Sequence, residues 1–246
     1  MIGDLLREWR GLRGMSQMAL AMEADVSPRH VSFLESGRSN PSQDMVLRLA
    51  DALAMPLRDC NAMLVAAGFA PRYGDSDIDS AALAELRKAV RMILAAHEPY
   101  PALAMNGNFG IVDANAGFDG LIAMAQLGDA RPGNLVDLVL RPSPMRDAIE
   151  NWNEIAVYMI GRLREGIRVR GRASRLQAML EDGLRQPGVR QALAESRYAP
   201  SPPILPVRLN VNGQKTNWIT TITTFGAPQD AFVEELTIEQ FHPVSN

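Results

Sequence analysis

The sequence predicts two dissimilar domains: an all-α domain of five short helices, then an α+β domain with an antiparallel sheet of about five strands. Three features predict it. Residues 1–70 carry apolar side chains at helical spacing and show no alternating segment. Residues 71–79, Pro-Arg-Tyr-Gly-Asp-Ser-Asp-Ile-Asp, are polar and aperiodic and read as a linker. Within 80–246, helices come first, and β-branched, alternating segments gather near the C-terminus.

The five helices follow in order. Residues 3–13 place Leu5, Leu6, Trp9 and Leu12 at helical spacing, and Gly14 ends them. Ser16 caps a helix over 17–24 with Leu20, Ala21 and Ala24 on one face, and Asp25-Val26 turns the chain. Ser27 caps the third, with Pro28 at its first position, where a missing N–H costs nothing, and Gly37 stops it. Ser42 caps a fourth over 43–54, broken by Pro56, and the fifth covers about 58–67. Met22, Met45 and Met63 read as core filler.

The second domain, 80–246, opens on an amphipathic helix over 80–96, with Leu83, Leu86, Val90 and Ile93 opposite Arg87, Lys88 and Arg91. Asn106-Gly107 between two short apolar runs signals a hairpin, and Asn115 caps a helix to about Met124. Ser143-Pro144 starts a long helix to about 165, and 173–184 and 188–196 read as two more. Pro200, Pro202, Pro203 and Pro206 lead the chain extended into a strand at 207–211. Asn212-Gly213 turns it, 217–225 is a β-branched strand, and 233–241 is the last.

Composition narrows the function classes. The chain has 246 residues, 47% hydrophobic and 22% charged, with a net charge of −3, which is ordinary for a globular protein. Cys60 is the only cysteine, so no internal disulfide forms and a reducing compartment is expected. The N-terminus is charged and lacks the apolar core of a signal peptide, and no apolar run nears the ~20 residues of a membrane span. A cytoplasmic protein with no membrane partner is expected. Only Lys88 and Lys215 are lysines, so 23 of 25 cations are arginines, and arginine clusters arise by composition alone. His30, His97 and His242 are far apart in sequence, without ligand spacing, so no metal is expected. No phosphate-binding glycine loop or nucleophile elbow occurs, and Cys60 reads as a small buried hydrophobe, so an enzyme is not expected.

Residues 16–38 read SQMALAMEADVSPRHVSFLESGR. They resemble the helix-turn-helix of the phage-repressor-like (Xre) family at Ser16, Gln17, Leu20, Ala21, Val26, Ser27, Val31, Ser32, Leu34, Glu35, Gly37 and Arg38. The resemblance covers about residues 4–70. It implies a reader of double-stranded operator DNA, with the second helix of the motif entering the major groove. Gln17 then contacts a phosphate, aided by backbone N–H groups. Arg29, outward in the first turn, is the candidate for a bidentate contact to guanine. Ser27, His30 and Ser32 stand beside it to touch bases or phosphates, and Arg38 a phosphate. Phe33 has two readings: it packs on thymine methyls, or it covers the dimer contact or simply packs locally. Arg10 and Glu35 correspond to a structural salt bridge between the first and third helices. Residues 1–72 hold eight arginines and eight acids, so a homodimer on a two-half-site operator is expected, because a neutral monomer binds weakly.

Two short strands, a tight turn and an Asn-led helix at 101–124 resemble the start of a PAS-like domain. The strings NWNEIAVYMIGRLRE and ITTFGAPQDAFVEELTIEQFHP are similar to the C-terminal domain of MmyB-like regulators over about 98–243. That resemblance implies a small hydrophobic ligand, a fatty acid being one candidate, in an apolar cavity. Trp152, Met159 and Trp218 are its candidate lining, with ordinary core packing the competing reading. Six arginines fall at 162, 164, 168, 170, 172 and 175. The cluster reads as an anchor for a ligand carboxylate or a second DNA contact, with Arg164 the best single candidate, and a solvated helix end and loop is the plain alternative. The expected function is a transcription regulator, with repression the family's implication. One alternative is a regulator whose second domain binds a partner protein and no small ligand. Another is an enzyme with a DNA-binding appendage.

Overall fold

In the computed structural model, which describes residues 2–125, 133–171, 174–196 and 204–244, serine caps open three of the first five helices. The helices are α1 (Ile2–Leu12), α2 (Gln17–Glu23), α3 (Pro28–Glu35), α4 (Gln43–Ala52) and α5 (Leu57–Ala66). Ser16 accepts from the Ala19 N–H, Ser27 from His30 and Ser42 from Met45, each satisfying a donor that a helix start leaves free. Leu6, Leu20, Leu34, Leu49, Leu53, Met63 and Leu64 are the largest fully buried side chains of this core. At about 1.5–3 kcal/mol for each buried large side chain, they hold helices too short to stand alone. Helix α4 stops at Ala52, short of the expected 54. Ala54 takes a positive φ, and Arg13 donates to the Leu53 and Ala54 carbonyls that the helix end leaves open. Met63 is core, but Met22 is not: it is 78% exposed and Met18 63%. Leu20 and Ala21 are the buried residues of α2, so the positions one turn apart at 18 and 22 point to solvent.

The chain folds as two compact units. The first holds residues 1–75, 166–174 and 227–234. Residues 72–75 of the expected linker are tied within it, Asp75 through an ion pair with Arg58. Asn61 accepts from the Arg72 and Tyr73 amides and donates to the Tyr73 carbonyl, and Gly74 bridges to Asp230. Glu234 accepts from the Leu57 N–H, replacing the side-chain cap that Pro56 cannot supply at the start of α5. Arg13 donates to the Arg168 and Val169 carbonyls.

The second unit holds 76–165, 175–226 and 235–246. A 3₁₀ turn at Ala81–Leu83 leads into α6 (Ala84–Ala96), then β1 (Ala102–Met105), β2 (Ile111–Ala114) and α7 (Ala116–Met124). Next come α8 (Leu135–Leu140), α9 (Pro144–Ala148), α10 (Trp152–Arg170), α11 (Arg175–Arg185) and α12 (Val189–Glu195). The chain closes with β3 (Val207–Val211), β4 (Gln214–Thr224), α13 (Ala231–Glu235) and β5 (Thr237–Pro243). The strands form one antiparallel sheet in the order β2-β1-β5-β4-β3, an α+β domain of the expected class. Asn115 does more than cap α7: its carboxamide also accepts from Ala102 and donates to the Leu94 and Tyr100 carbonyls, so one buried side chain joins α6, β1 and α7.

Two expected elements differ. The helix starting at Ser143 breaks at 149–151, because Ile149 bridges to Leu209 and Glu150 donates its backbone N–H to the Arg208 carbonyl, with the Asn151 side chain also bonded to the Pro206 carbonyl and the Arg208 N–H. Pairing with β3 takes the backbone groups that a continuous helix would use. The last strand starts at Thr237, not 233, because Asp230 accepts from the Phe232 N–H and starts α13. Arg172, Pro200, Pro202 and Pro203 lie outside the described residues. No helix among the described residues is long and apolar enough to cross a membrane.

One close approach is directly testable. A Cβ on Gly3 would lie 2.7 Å from the carbonyl oxygens of both Leu34 and Glu35, whereas one on Gly11 would meet nothing within 4 Å. Gly3→Ala is therefore expected to cost ~1–3 kcal/mol by overpacking, and Gly11→Ala to gain ~0.5–1 kcal/mol of helix propensity. Urea denaturation measures both. Equal stability of Gly3→Ala and wild type would contradict the close seating of α1 on α3.

Candidate functional site

The end of α3 is fixed by a carboxylate. Glu35 has a side chain 3% exposed, and it accepts from Arg10 Nε at 2.6 Å, Arg10 Nη2 at 3.1 Å and Gln17 Nε2 at 2.7 Å. Its backbone carbonyl accepts from Arg7 at 2.8 Å. Arg10 also donates to the Met15 carbonyl between α1 and α2. Three helices thus meet at one residue. Burial pushes the Glu35 carboxyl up, but the hydrogen bonds of Arg10 and Gln17 and the charges of Arg10 and Arg7 outweigh it and hold the group below the ordinary carboxylate range. The Glu35 hydrogen bond raises Arg10 in turn. Gln17, expected at a phosphate, donates to Glu35 here.

The other end of α3 is open. Ser27 and Arg29 are exposed there and His30 is partly so; further along the helix Ser32 and Phe33 are partly exposed and Val31 and Leu34 are buried, and Arg38, just past the Glu35 end, is exposed. The Arg29 guanidinium lies 5.1 Å from the centroid of the Phe33 ring, a cation–π contact of about 0.5–1 kcal/mol at an exposed site. Phe33 therefore gives Arg29 a platform. The hydroxyl of Ser27 is used by its cap on His30.

In the second unit the register sets Leu103, Glu239 and Ile222 abreast on one sheet face. Glu239 is buried there and accepts from Arg162 of α10 at 2.7 Å. The Arg162 guanidinium also lies 5.0 Å from the Phe109 ring and 5.8 Å from that of Tyr158. On the same face Ile222 is 43% exposed.

The family model described as MmyB-like transcription regulator ligand binding domain matches residues 86–246. The chain belongs to the MmyB-like transcription regulators. A second model, for a helix-turn-helix, matches residues 6–60, so this regulator joins a DNA-binding reader to a ligand-binding domain. No curated protein matches the chain.

Within this MmyB-like regulator the four candidate ligand residues do not converge. Trp152 donates from its indole to the Val139 carbonyl and lies under the Arg146 guanidinium at 3.7 Å. Met159 is core. Trp218 hydrogen-bonds Thr216 and packs edge-on against Tyr100. Arg164 is exposed. It is Arg162, two residues earlier, that reaches the sheet. The spacing signal for it was present, since Ile155, Met159 and Arg162 follow one helix face. His97 and His242, far apart in sequence, have ring centroids 4.8 Å apart, joined by the hydrogen bonds of His97 to the Phe241 carbonyl and of His242 to Thr221. Among the described residues no group of three or more His, Cys, Asp or Glu is placed to hold a metal. Cys60 is buried, which pushes its thiol up.

The Glu35 site has a pH signature. Its folded pKa lies below the unfolded carboxyl value of about 4.3. Its stabilisation is thus complete above that value and is lost as pH falls through the lower folded one. Glu35→Gln is expected to cost about 2–3 kcal/mol at pH 7, with the gap to wild type narrowing below pH ~4. Denaturation at a series of pH values checks this; parallel profiles for the two proteins would contradict the account.

Proposed function

We propose that this regulator is a cytoplasmic repressor that binds double-stranded operator DNA as a homodimer, and that a small hydrophobic ligand changes its operator affinity. The observation that carries the reading is the open first turn of α3, capped by Ser27 and presenting Arg29 on its Phe33 platform while Glu35 holds the far end. Arg29 reads a guanine edge. Ser27, His30 and Ser32 make the neighbouring base or phosphate contacts, and Gln17 and Arg38 position the phosphate backbone. The reader carries no charge excess, so two copies on two half-sites supply the affinity.

The ligand reading centres on the Arg162 face of the sheet, with Phe109, Tyr158 and Ile222 as apolar surroundings and Arg162 as the carboxylate anchor in place of Arg164. A fatty acid suits that pairing of one cation with apolar walls. The ligand acts only as far as its affinities for the DNA-competent and incompetent states differ. Chain connectivity supports such coupling. Helix α10 starts among the residues of the second unit and ends at 166–170 among those of the first, and 227–234 between β4 and β5 also belongs to the first. Catalysis has no part in this reading.

Two measurements test it. Organic extraction of the purified protein, read by mass spectrometry, is expected to release a fatty acid that is missing from Arg162→Leu/Glu239→Leu, a double variant that leaves no buried charge unpaired. The same lipid content in both proteins, or none in wild type, would count against the anchor. For DNA, the slope of log K against log salt is expected to be about −4 or shallower, near −0.9 for each neutralised phosphate. A slope near about −8 would mean that phosphate attraction, not base contact, dominates.

A further inference from the structure

A cavity of about 530 Å³ opens between the β1–β2 loop, α8 and α11. No residue of the five strands lines it, and neither do Arg162 and Glu239, so it is separate from the sheet face described above. Its size is that of a small-molecule site, but its walls are polar, unlike a seat for an alkyl chain.

The charges on those walls balance in sum and not in place. Asp137 and Arg141 come from the α8 side, Arg175 and Asp182 from α11. Arg141 donates from Nε to Asp137 at 2.9 Å and from Nη2 to Asp182 at 2.8 Å. One guanidinium is thereby shared by two carboxylates, and that end keeps one negative charge in excess. Arg175 stands two turns before Asp182 on the same helix, about 10 Å away along the axis. It is exposed and forms no ion pair among the described residues, so that end has one positive charge in excess. Between them Met179 and Leu140 give an apolar floor. Asn106 spends its side-chain carbonyl on the Asn108 and Gly110 amides, which leaves its NH₂ as a donor at the wall.

We propose that this cavity binds a small zwitterion of amino-acid or dipeptide size. Its ammonium group lies at the Asp137–Asp182 end, its carboxylate at Arg175, and any apolar side chain on Met179 and Leu140. A neutral polyol leaves both charge excesses unmet, and a fatty acid meets only one. The site would give the ligand-binding domain a second input that is independent of the sheet face.

Calorimetric titration of the full chain with alanyl-leucine, its N-acetyl form and its C-terminal amide tests the assignment. Saturable binding is expected for the zwitterion, about tenfold weaker for each blocked form, since a charged hydrogen bond is worth roughly a factor of ten or more. Arg175→Gln, which breaks no ion pair, is expected to weaken alanyl-leucine by a similar factor and to leave the amide unchanged, because only the carboxylate meets Arg175. Absence of saturable binding by alanyl-leucine, equal binding of the blocked forms, or unchanged affinity in Arg175→Gln would overturn it.

Discussion

The reader depends on what happens around one buried carboxylate. Glu35 ends α3, and its side chain and carbonyl collect Arg10 and Arg7 from α1 and Gln17 from α2. Charge-assisted, two-pronged bonds of this kind set an angle as well as an energy. With the C-terminal end of α3 fixed against two other helices, the direction in which its first turn projects is fixed too. Burial of such a pair is poor evidence for net stability and better explained as orientation. Of the residues that would meet DNA, Ser27, Arg29 and His30 lie at the far end of α3, exposed or partly so, while Gln17 and Arg38 flank the Glu35 end.

The near-neutral charge of the first 72 residues divides along the same line. Arg7 and Arg10 serve Glu35, Arg13 serves backbone carbonyls, Arg48 pairs with Asp44, and Arg58 with Asp75. Arg29 and Arg38 form no ion pair among the described residues, and both belong to α3 or the turn after it. Total charge says little about a partner here, because most of the arginines are structural, and of Arg29, Arg38 and Arg72, which form no ion pair among the described residues, two lie where the major groove would be. In the second unit Arg162 gives one hydrogen bond to Glu239, while Arg175, at a different place, forms no ion pair among the described residues.

Much of this was legible in the sequence wherever the cause is local. Serine caps, Pro28 at a helix start, Asn212-Gly213 in a tight hairpin and the Asn115 cap are short-range rules, and each element formed where they placed it. The helix-turn-helix was legible because its packing positions are also close in sequence. What was not legible depends on distant partners. The break at 149–151 is made by β3, about 60 residues later in the chain. The pairing of His97 with His242 needs the sheet to exist. Met22 has helical spacing that fits a core, and only the burial pattern of the short α2 shows which side faces inward. The choice between Arg162 and Arg164 turned on where α10 meets the sheet, which composition could not reveal among so many arginines.

Binding-site selection from random duplexes, run on wild type and Arg29→Ala, tests the central claim most directly. The wild type is expected to select two half-sites about one helical turn apart. Arg29→Ala is expected to keep that spacing but lose discrimination at one guanine in each half-site, by ~1–3 kcal/mol. An identical selected sequence for both proteins would show that α3 does not read the bases.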